Sequence, residues 1–281
     1  MAVTQKDVDL FIEAVKQKST YDFSNYSVKS FTRRIDKILT DNNFDIFTLI
    51  KKINKSDKYL EEIVKEITVN TTELFRDPQM WQIFADIIEN YYRNNEKIKI
   101  WHAGCSTGQE VYSLLILMHQ LNLFDKVEVY ASDINEDVLE VARSGKYKYR
   151  DISEYIENYK EALKELPEEM KKLDFSDYIE VNKRRDSIKI KPFLTEKPTF
   201  LKHDLVSNAP LFETDFDIIM CRNVLIYFNH DLQNKIFEFF HDNLKTDGSL
   251  VIGRHEGILG AIANKFKKKD TIYVKKQSSL Y

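Results

Sequence analysis

The segment WHAGCSTGQE, Trp101 to Glu110, carries two glycines, Gly104 and Gly108, and an acid, Glu110, two residues after the second. It follows the alternating apolar run KIKI, so the pattern reads strand, small-residue turn, helix. Such a turn lets a ligand approach the backbone and offers free amide groups at the helix start. Three features argue against a pyrophosphate there. The third glycine of the dinucleotide fingerprint is missing, no Lys follows Gly108 as in a P-loop, and Glu110 puts an anion in the first helical turn. A carboxylate in that place suits a cationic group. The next strand-like run ends in ASDIN, which puts Asp133 where the ribose-binding acid of such folds lies. A ribose together with an amine or a sulfonium describes S-adenosylmethionine, and that is the cofactor these residues point to. Taken singly, each residue keeps an alternative. The turn could be purely structural, Glu110 could complement a helix dipole, and Asp133 could cap the helix EDVLEVARSG. Cys105 and Cys221 read as small buried fillers, and the scattered histidines lack metal-ligand spacing, so no metal site is expected.

The elements that must hold these residues fall into two unequal parts. At 281 residues the chain is long enough for one large domain or a large and a small one. Residues 5–75 contain no Gly and no Pro, and their apolar positions recur at helical spacing, as about four helices up to Asn70. In YSVKSFTRRIDKIL, Val28, Phe31, Ile35 and Ile38 make one stripe, while Lys29, Arg33 and Lys37 line another face. Beyond Pro78 the pattern changes to short β-rich runs: KIKIW, KVEVYAS, TFLKHDL, FDIIMCRN and SLVIGRH, mostly separated by helical stretches. That alternation predicts a doubly wound α/β sheet of Rossmann-like type, with TIYVKKQ as a last strand, antiparallel at the edge or inside the sheet. The expected division is 1–77, a helical domain with its linker, and 78–281, a sheet domain. Within the second part, 150–198 reads as an insertion without its own core: a charged helix interrupted at Pro167, then a hairpin turning near Arg185-Asp186-Ser187.

Composition excludes several classes. A net charge of −3 argues against general nucleic-acid binding, and the longest purely apolar run, LLILM, is far too short to span a bilayer. The charged start MAVTQKDVDLF and only two cysteines lead us to expect a cytoplasmic protein in a reducing compartment.

Together with their flanks, these segments resemble a known family, the bacterial chemotaxis receptor methyltransferases of the CheR type. The resemblance runs in order through YDFSNYSVKSFTRRI, VNTTELFRDP, WHAGCSTGQEVYSL, VYASDINEDVLEVARSGKY, IKPFL, FLKHDL and FDIIMCRNVLIYF. It implies an S-adenosylmethionine-dependent enzyme that methylates glutamate side chains on a receptor's cytoplasmic coiled coil, with S-adenosylhomocysteine as product. It also implies roles for residues. Asn70, Thr72 and Arg76 match the linker motif that closes over the cofactor, Glu110 the acid near the methionine moiety, and Asp133 the acid on the ribose. Asp204 and Leu205 match the pair beside adenine, where the family usually has Asn; an Asp can accept from the adenine amine but cannot donate. Arg222 and Asn223 match the pair after the fourth strand, and Tyr227 the aromatic near the transferred methyl. The loop GRHEG at 253–257 departs from the family's usual Gly-His-Ser-Glu, so no role is read for His255.

The acceptor chemistry then singles out Arg76, whose fork can grip a carboxylate, and Tyr227, which would shape the pocket; a salt bridge to Asp77 and core packing are the plain alternatives. Basic and acidic residues balance over 1–78, so the receptor contact is expected to be local, through Lys29, Arg33, Arg34 and Lys37 against acidic methylation helices. Some family members bind a receptor pentapeptide through a small β-subdomain with a glycine-containing turn. No glycine occurs over 146–247, and the turn near RRDS is charged, so a monomer without that tether is expected. Two other readings compete: a methyltransferase acting on another substrate, and a degenerate cofactor-binding module that signals. The Asn-Pro-Pro-Tyr type motif that grips a flipped base is absent, with CRNVLIY in its place.

Overall fold

The central strands bury side chains on both sides because both sheet faces are covered. Ile98 and Ile100 of β1 (Ile98–Ala103) pack into one layer of the core, while Trp101 and Ala103 pack into the other. The computed structural model describes residues 3–68, 70–171, 173–207, 212 and 214–277. Four helices precede the sheet: α1 (Gln5–Lys18), α2 (Val28–Asn42), α3 (Ile46–Lys55) and α4 (Asp57–Ile67). Thr4, Asp45 and Ser56 cap α1, α3 and α4 through their side-chain oxygens, which fixes where each begins. Their apolar stripes, among them Phe11, Phe31, Ile35, Leu49 and Ile63, meet in a core of their own. Val28 is a correction to the expected stripe. As the first residue of α2 it projects beyond that core and is 57% exposed.

Then come α5 (Pro78–Ile87), β1, α6 (Gln109–Gln120), β2 (Val127–Asp133) and α7 (Glu136–Ser144). After β3 (Lys146–Lys148) follow α8 (Ile152–Ala162), β4 (Ile179–Asn182), β5 (Ser187–Ile190), the single turn α9 (Pro192–Thr195) and β6 (Thr199–Lys202). The chain ends with β7 (Phe216–Cys221), α10 (His230–Asn243), β8 (Leu244–Ile252), β9 (Phe266–Lys269) and β10 (Ile272–Lys275).

Seven strands form one sheet in the order β6-β2-β1-β7-β8-β10-β9. The first five run parallel, and β10 returns antiparallel between β8 and β9. The chain winds outward from β1 in both directions, so the switch point lies between β1 and β7, where a ligand crevice opens beyond the strand ends. TIYVKKQ therefore supplies an interior strand; the edge is β9, whose FKKK has no apolar alternation to announce it. The 179–190 hairpin turns at Asp186 (φ 46°) and gains a third strand, β3, in a separate antiparallel sheet. Tyr147, Tyr178, Ile188 and Ile190 of that unit share the main core. Pro167 does not interrupt α8. The helix stops at Ala162, where Leu163 turns inward and is buried.

Candidate active site

From Ala103 the chain turns through Gly104 (φ 81°), Ser106 (φ 49°) and Gly108 (φ 87°) before α6 begins. A Cβ at Gly104 would stand 2.5 Å from Val224 Cγ2, so glycine lets the loop lie against the segment that follows β7. This loop floors a cleft of about 1060 Å³, open to solvent, at the β1/β7 switch point. Every residue assigned to cofactor or catalysis from the sequence lines it: Asn70, Thr72, Arg76, Glu110, Asp133, Asp204, Leu205, Arg222, Asn223 and Tyr227.

Asp133 ends β2 and is 8% exposed. Its Oδ2 accepts from the Ser106 amide at 2.8 Å and its Oδ1 from the Asn135 amide at 3.0 Å. The cap of α7 is Asn135, which accepts from the Asp137 amide, so Asp133 does not fill that position. Burial lifts the Asp133 carboxyl above its ordinary value, against those amide bonds. Asp204, after β6, accepts from the Val206 amide at 2.9 Å and is likewise raised by burial. Tyr26 also lines the cleft, and burial, with Asp204 and Asp133 nearby, pushes its hydroxyl upward. The sequence reading missed Tyr26, since it lies in a loop more than 100 residues from those acids.

Glu110 projects from the first turn of α6 and is held at both oxygens. Oε1 lies 3.0 Å from His102 Nδ1, and Oε2 accepts from Arg222 Nη1 at 2.8 Å. Arg222, whose side chain is 1% exposed, also donates from Nη2 to Asp77 Oδ2 at 2.6 Å and to the Arg76 carbonyl at 3.2 Å. Burial would raise the Glu110 carboxyl, but Arg222 and the His102 hydrogen bond outweigh it and hold it below its ordinary value. One guanidinium thus ties β7, α6 and the 76–77 linker together. Asp77 pairs with Arg222, which leaves Arg76 free of the alternative salt bridge considered for it.

The other end of the cleft is cationic. Arg76 Nη1 donates to the Thr71 carbonyl at 3.3 Å, and Asn70 O accepts from Ser106 Oγ at 3.1 Å. Arg34 of α2 turns into the cleft, and its Nε is buried without a hydrogen-bond partner. Burial raises the Tyr227 hydroxyl, against the pull of Arg34 and Arg76. The four basic residues expected on the docking face therefore separate. Lys29, Arg33 and Lys37 are exposed, with Lys37 paired to Asp41, whereas Arg34 faces inward. Both cysteine thiols are buried and pushed well above their ordinary value, which removes them as nucleophiles. Among the described residues no group of three or more His, Cys, Asp or Glu could hold a metal ion, and no helix is long and apolar enough to cross a membrane.

The family model described as CheR methyltransferase, SAM binding domain, matches residues 70–274. The Cher3 protein of Pseudomonas putida is 35% identical over 271 residues, covering 94% of this chain and 93% of that protein. A chemotaxis protein methyltransferase of Listeria innocua is 30% identical over 258 residues, covering 91% of each. One from Borreliella burgdorferi is 27% identical over 271 residues, covering 92% of this chain and 90% of its own.

Proposed function

The chain belongs to the CheR methyltransferase family, and from that premise we propose that it methylates glutamate side-chain carboxylates on the cytoplasmic helices of a chemoreceptor, forming glutamyl methyl esters. One observation carries the reading: a single cleft has buried carboxylates at one end and two arginines with a tyrosine at the other.

The anionic end fits S-adenosylmethionine. Gly104 leaves room against the backbone, no lysine among the described residues lines the cleft, and the acids suit hydroxyls and an amine. Asp133 accepts from the ribose hydroxyls, Asp204 and Leu205 frame the adenine, and Glu110 faces the amino group while Arg222 braces it. Asn70 and Thr72 close the linker side, and Asn223 closes the side after β7. S-adenosylmethionine supplies a methyl carbon already activated by its positive sulfur.

The remaining task belongs to the chain. A glutamate is ionised at neutral pH, with a reference pKa of about 4.3, so no general base is needed. Drying that carboxylate costs several kcal/mol unless it is paired. Arg76 pairs with it and Tyr227 walls the approach. Holding both reactants in line supplies on the order of 7–11 kcal/mol of the barrier. Residues 1–77 serve as the docking unit and 78–281 as the transferase unit. Lys29, Arg33 and Lys37 meet the acidic receptor coiled coil, with Arg34 at the border of the cleft. We take the enzyme as a cytoplasmic monomer, and the charged 183–186 turn argues that it works without a pentapeptide tether, because bulky Lys183, Arg184 and Arg185 obstruct a peptide adding at that edge.

Incubation with radiolabelled S-adenosylmethionine and a receptor cytoplasmic fragment tests the reading. Alkali should release the label as methanol. An alkali-stable product would mean N-methylation, and cofactor binding without turnover would mean a signalling module.

A further inference from the structure

The segment from Asn223 to Asn229 carries Tyr227 across the mouth of the cleft, and many of its backbone bonds end on side chains or on the 25–28 loop. Three of its amides converge on one carboxylate, while Tyr227 N and Phe228 N close a local turn onto Val224 O and Leu225 O. Glu256 Oε2 accepts from Asn223 N at 2.8 Å, and Oε1 from Leu225 N at 2.8 Å and Ile226 N at 3.2 Å. Oε2 also accepts from Gly253 N at 2.6 Å. Its carbonyls end elsewhere: Gln233 Nε2 donates to Leu225 O and Phe228 O, and Ser27 N donates to Tyr227 O at 2.8 Å. Asn223 is held at φ 59°, a left-handed conformation that persists where its surroundings over-determine it.

We propose that Glu256 is a positioning residue for methyl transfer, a four-amide clamp that sets where Asn223 and Tyr227 stand in the cleft. Glu256 does not itself line the cleft, so it acts through the strap. Gly253 belongs to the same device. A Cβ there would stand 2.6 Å from Glu256 Oε2 and 3.0 Å from Asn223 N, so the clamp closes only over a glycine. Burial raises the Glu256 carboxyl above its ordinary value, and the hydrogen bonds from the Asn223, Gly253, Ile226 and Leu225 amides work against that rise. The adjacent Arg254 and His255 are exposed, which explains how the loop tolerates unusual residues at those two positions while its Gly-x-x-Glu spacing stays in use.

Glu256→Gln separates this role from bulk stability. The amide keeps size and shape but turns N–H hydrogens toward backbone N–H groups. We expect kcat for the receptor fragment to fall about thirtyfold or more, with the S-adenosylmethionine Kd within about threefold of the parent. Glu256→Asp keeps the charge but is one methylene short, and its rate should lie between the two. A folded Gln variant with kcat within about twofold of the parent overturns the proposal, as does a Kd loss matching the kcat loss. The clamp as a positioning device rests on the methyltransferase reading, so its second test needs no turnover. In the unaltered protein the Asn223, Leu225 and Ile226 amides should exchange slowly with solvent, and exchange at the rate of open amides would overturn the clamp whatever the enzyme's substrate.

Discussion

The two ends of the cleft hold their charges in opposite ways. At the end assigned to the cofactor, Asp133 is stitched to two amides and Glu110 is fixed between His102 and Arg222, so these carboxylates have a set geometry before any ligand arrives. At the end assigned to the acceptor, Arg76 keeps one 3.3 Å bond to a carbonyl, and Arg34 Nε has no partner. The first arrangement is preorganised for a ligand of constant shape. The second leaves positive charge unspent for a carboxylate that comes and goes with each turnover. A fixed end and a vacant-handed end suit the proposed reaction, in which one substrate is always the same molecule and the other is a side chain of a second protein.

Removing the brace of the fixed end should have the largest effect. Arg222→Ala strands the largely buried Glu110 and unpairs the partly exposed Asp77, and breaking a buried pair costs about 3–5 kcal/mol, with Asp77 adding little. Denaturant melts should read this; a midpoint equal to the parent's would show that both acids find other partners. The penalty should also depend on pH. The Glu110 carboxyl titrates below its unfolded value, so the pair's contribution is fully present above about 4.3 and is lost as pH falls through the lower folded value. Parent and variant melts should therefore converge in acid.

Arg76→Ala probes the vacant-handed end. We expect kcat to drop about a hundredfold, while calorimetry finds cofactor affinity nearly unchanged. Equal losses in both would make Arg76 a cofactor ligand and erase the contrast between the ends. Asp133→Ala should do the converse, weakening S-adenosylmethionine about tenfold, or 1.4 kcal/mol. Unchanged affinity would remove Asp133 from the site.

The surface beyond the cleft should respond least. Charge reversal at Arg33 and Lys37 should raise the apparent KM for receptor severalfold and flatten its salt dependence, with cofactor affinity untouched. A salt dependence equal to the parent's would make that helix face mere solvated surface. Deleting the last ten residues of the cognate receptor should leave the methylation rate unchanged; a tenfold drop would restore a tether.

How far the sequence revealed this depends on how local each feature is. Gly104, Gly108 and the acids Glu110 and Asp133 were legible because strand ends and turn residues carry short-range signatures; Gly104 and the two acids line the cleft, and Gly108 packs against α7 beside it. The central strands were legible from alternation. Glu256 was not, because its amide donors in the 223–226 strap become neighbours only when β7 and β8 pair, some 30 residues apart. The partners of Arg222 were hidden for the same reason, lying on the linker and on α6. Val28 fitted its helical stripe by spacing, yet spacing cannot say where a packed interface ends. The interruption expected at Pro167 comes earlier, because α8 already ends at Ala162 with Leu163 as its cap, four residues before the proline. Lys267 to Lys269 masked β9, since three consecutive lysines look like a loop.

Those lysines have a further consequence. An open sheet ends in two strands with unpaired backbone groups, each a template for another chain. At one end β6 is four residues long, and Lys202 reaches Tyr21 and Glu61 of the helical region, which shelters that side. At the other, β9 presents Lys267, Lys268 and Lys269, all exposed. Adding a second copy there would set like charges directly against one another. The run that hid a strand from inspection also disfavours edge-to-edge pairing of two copies at β9.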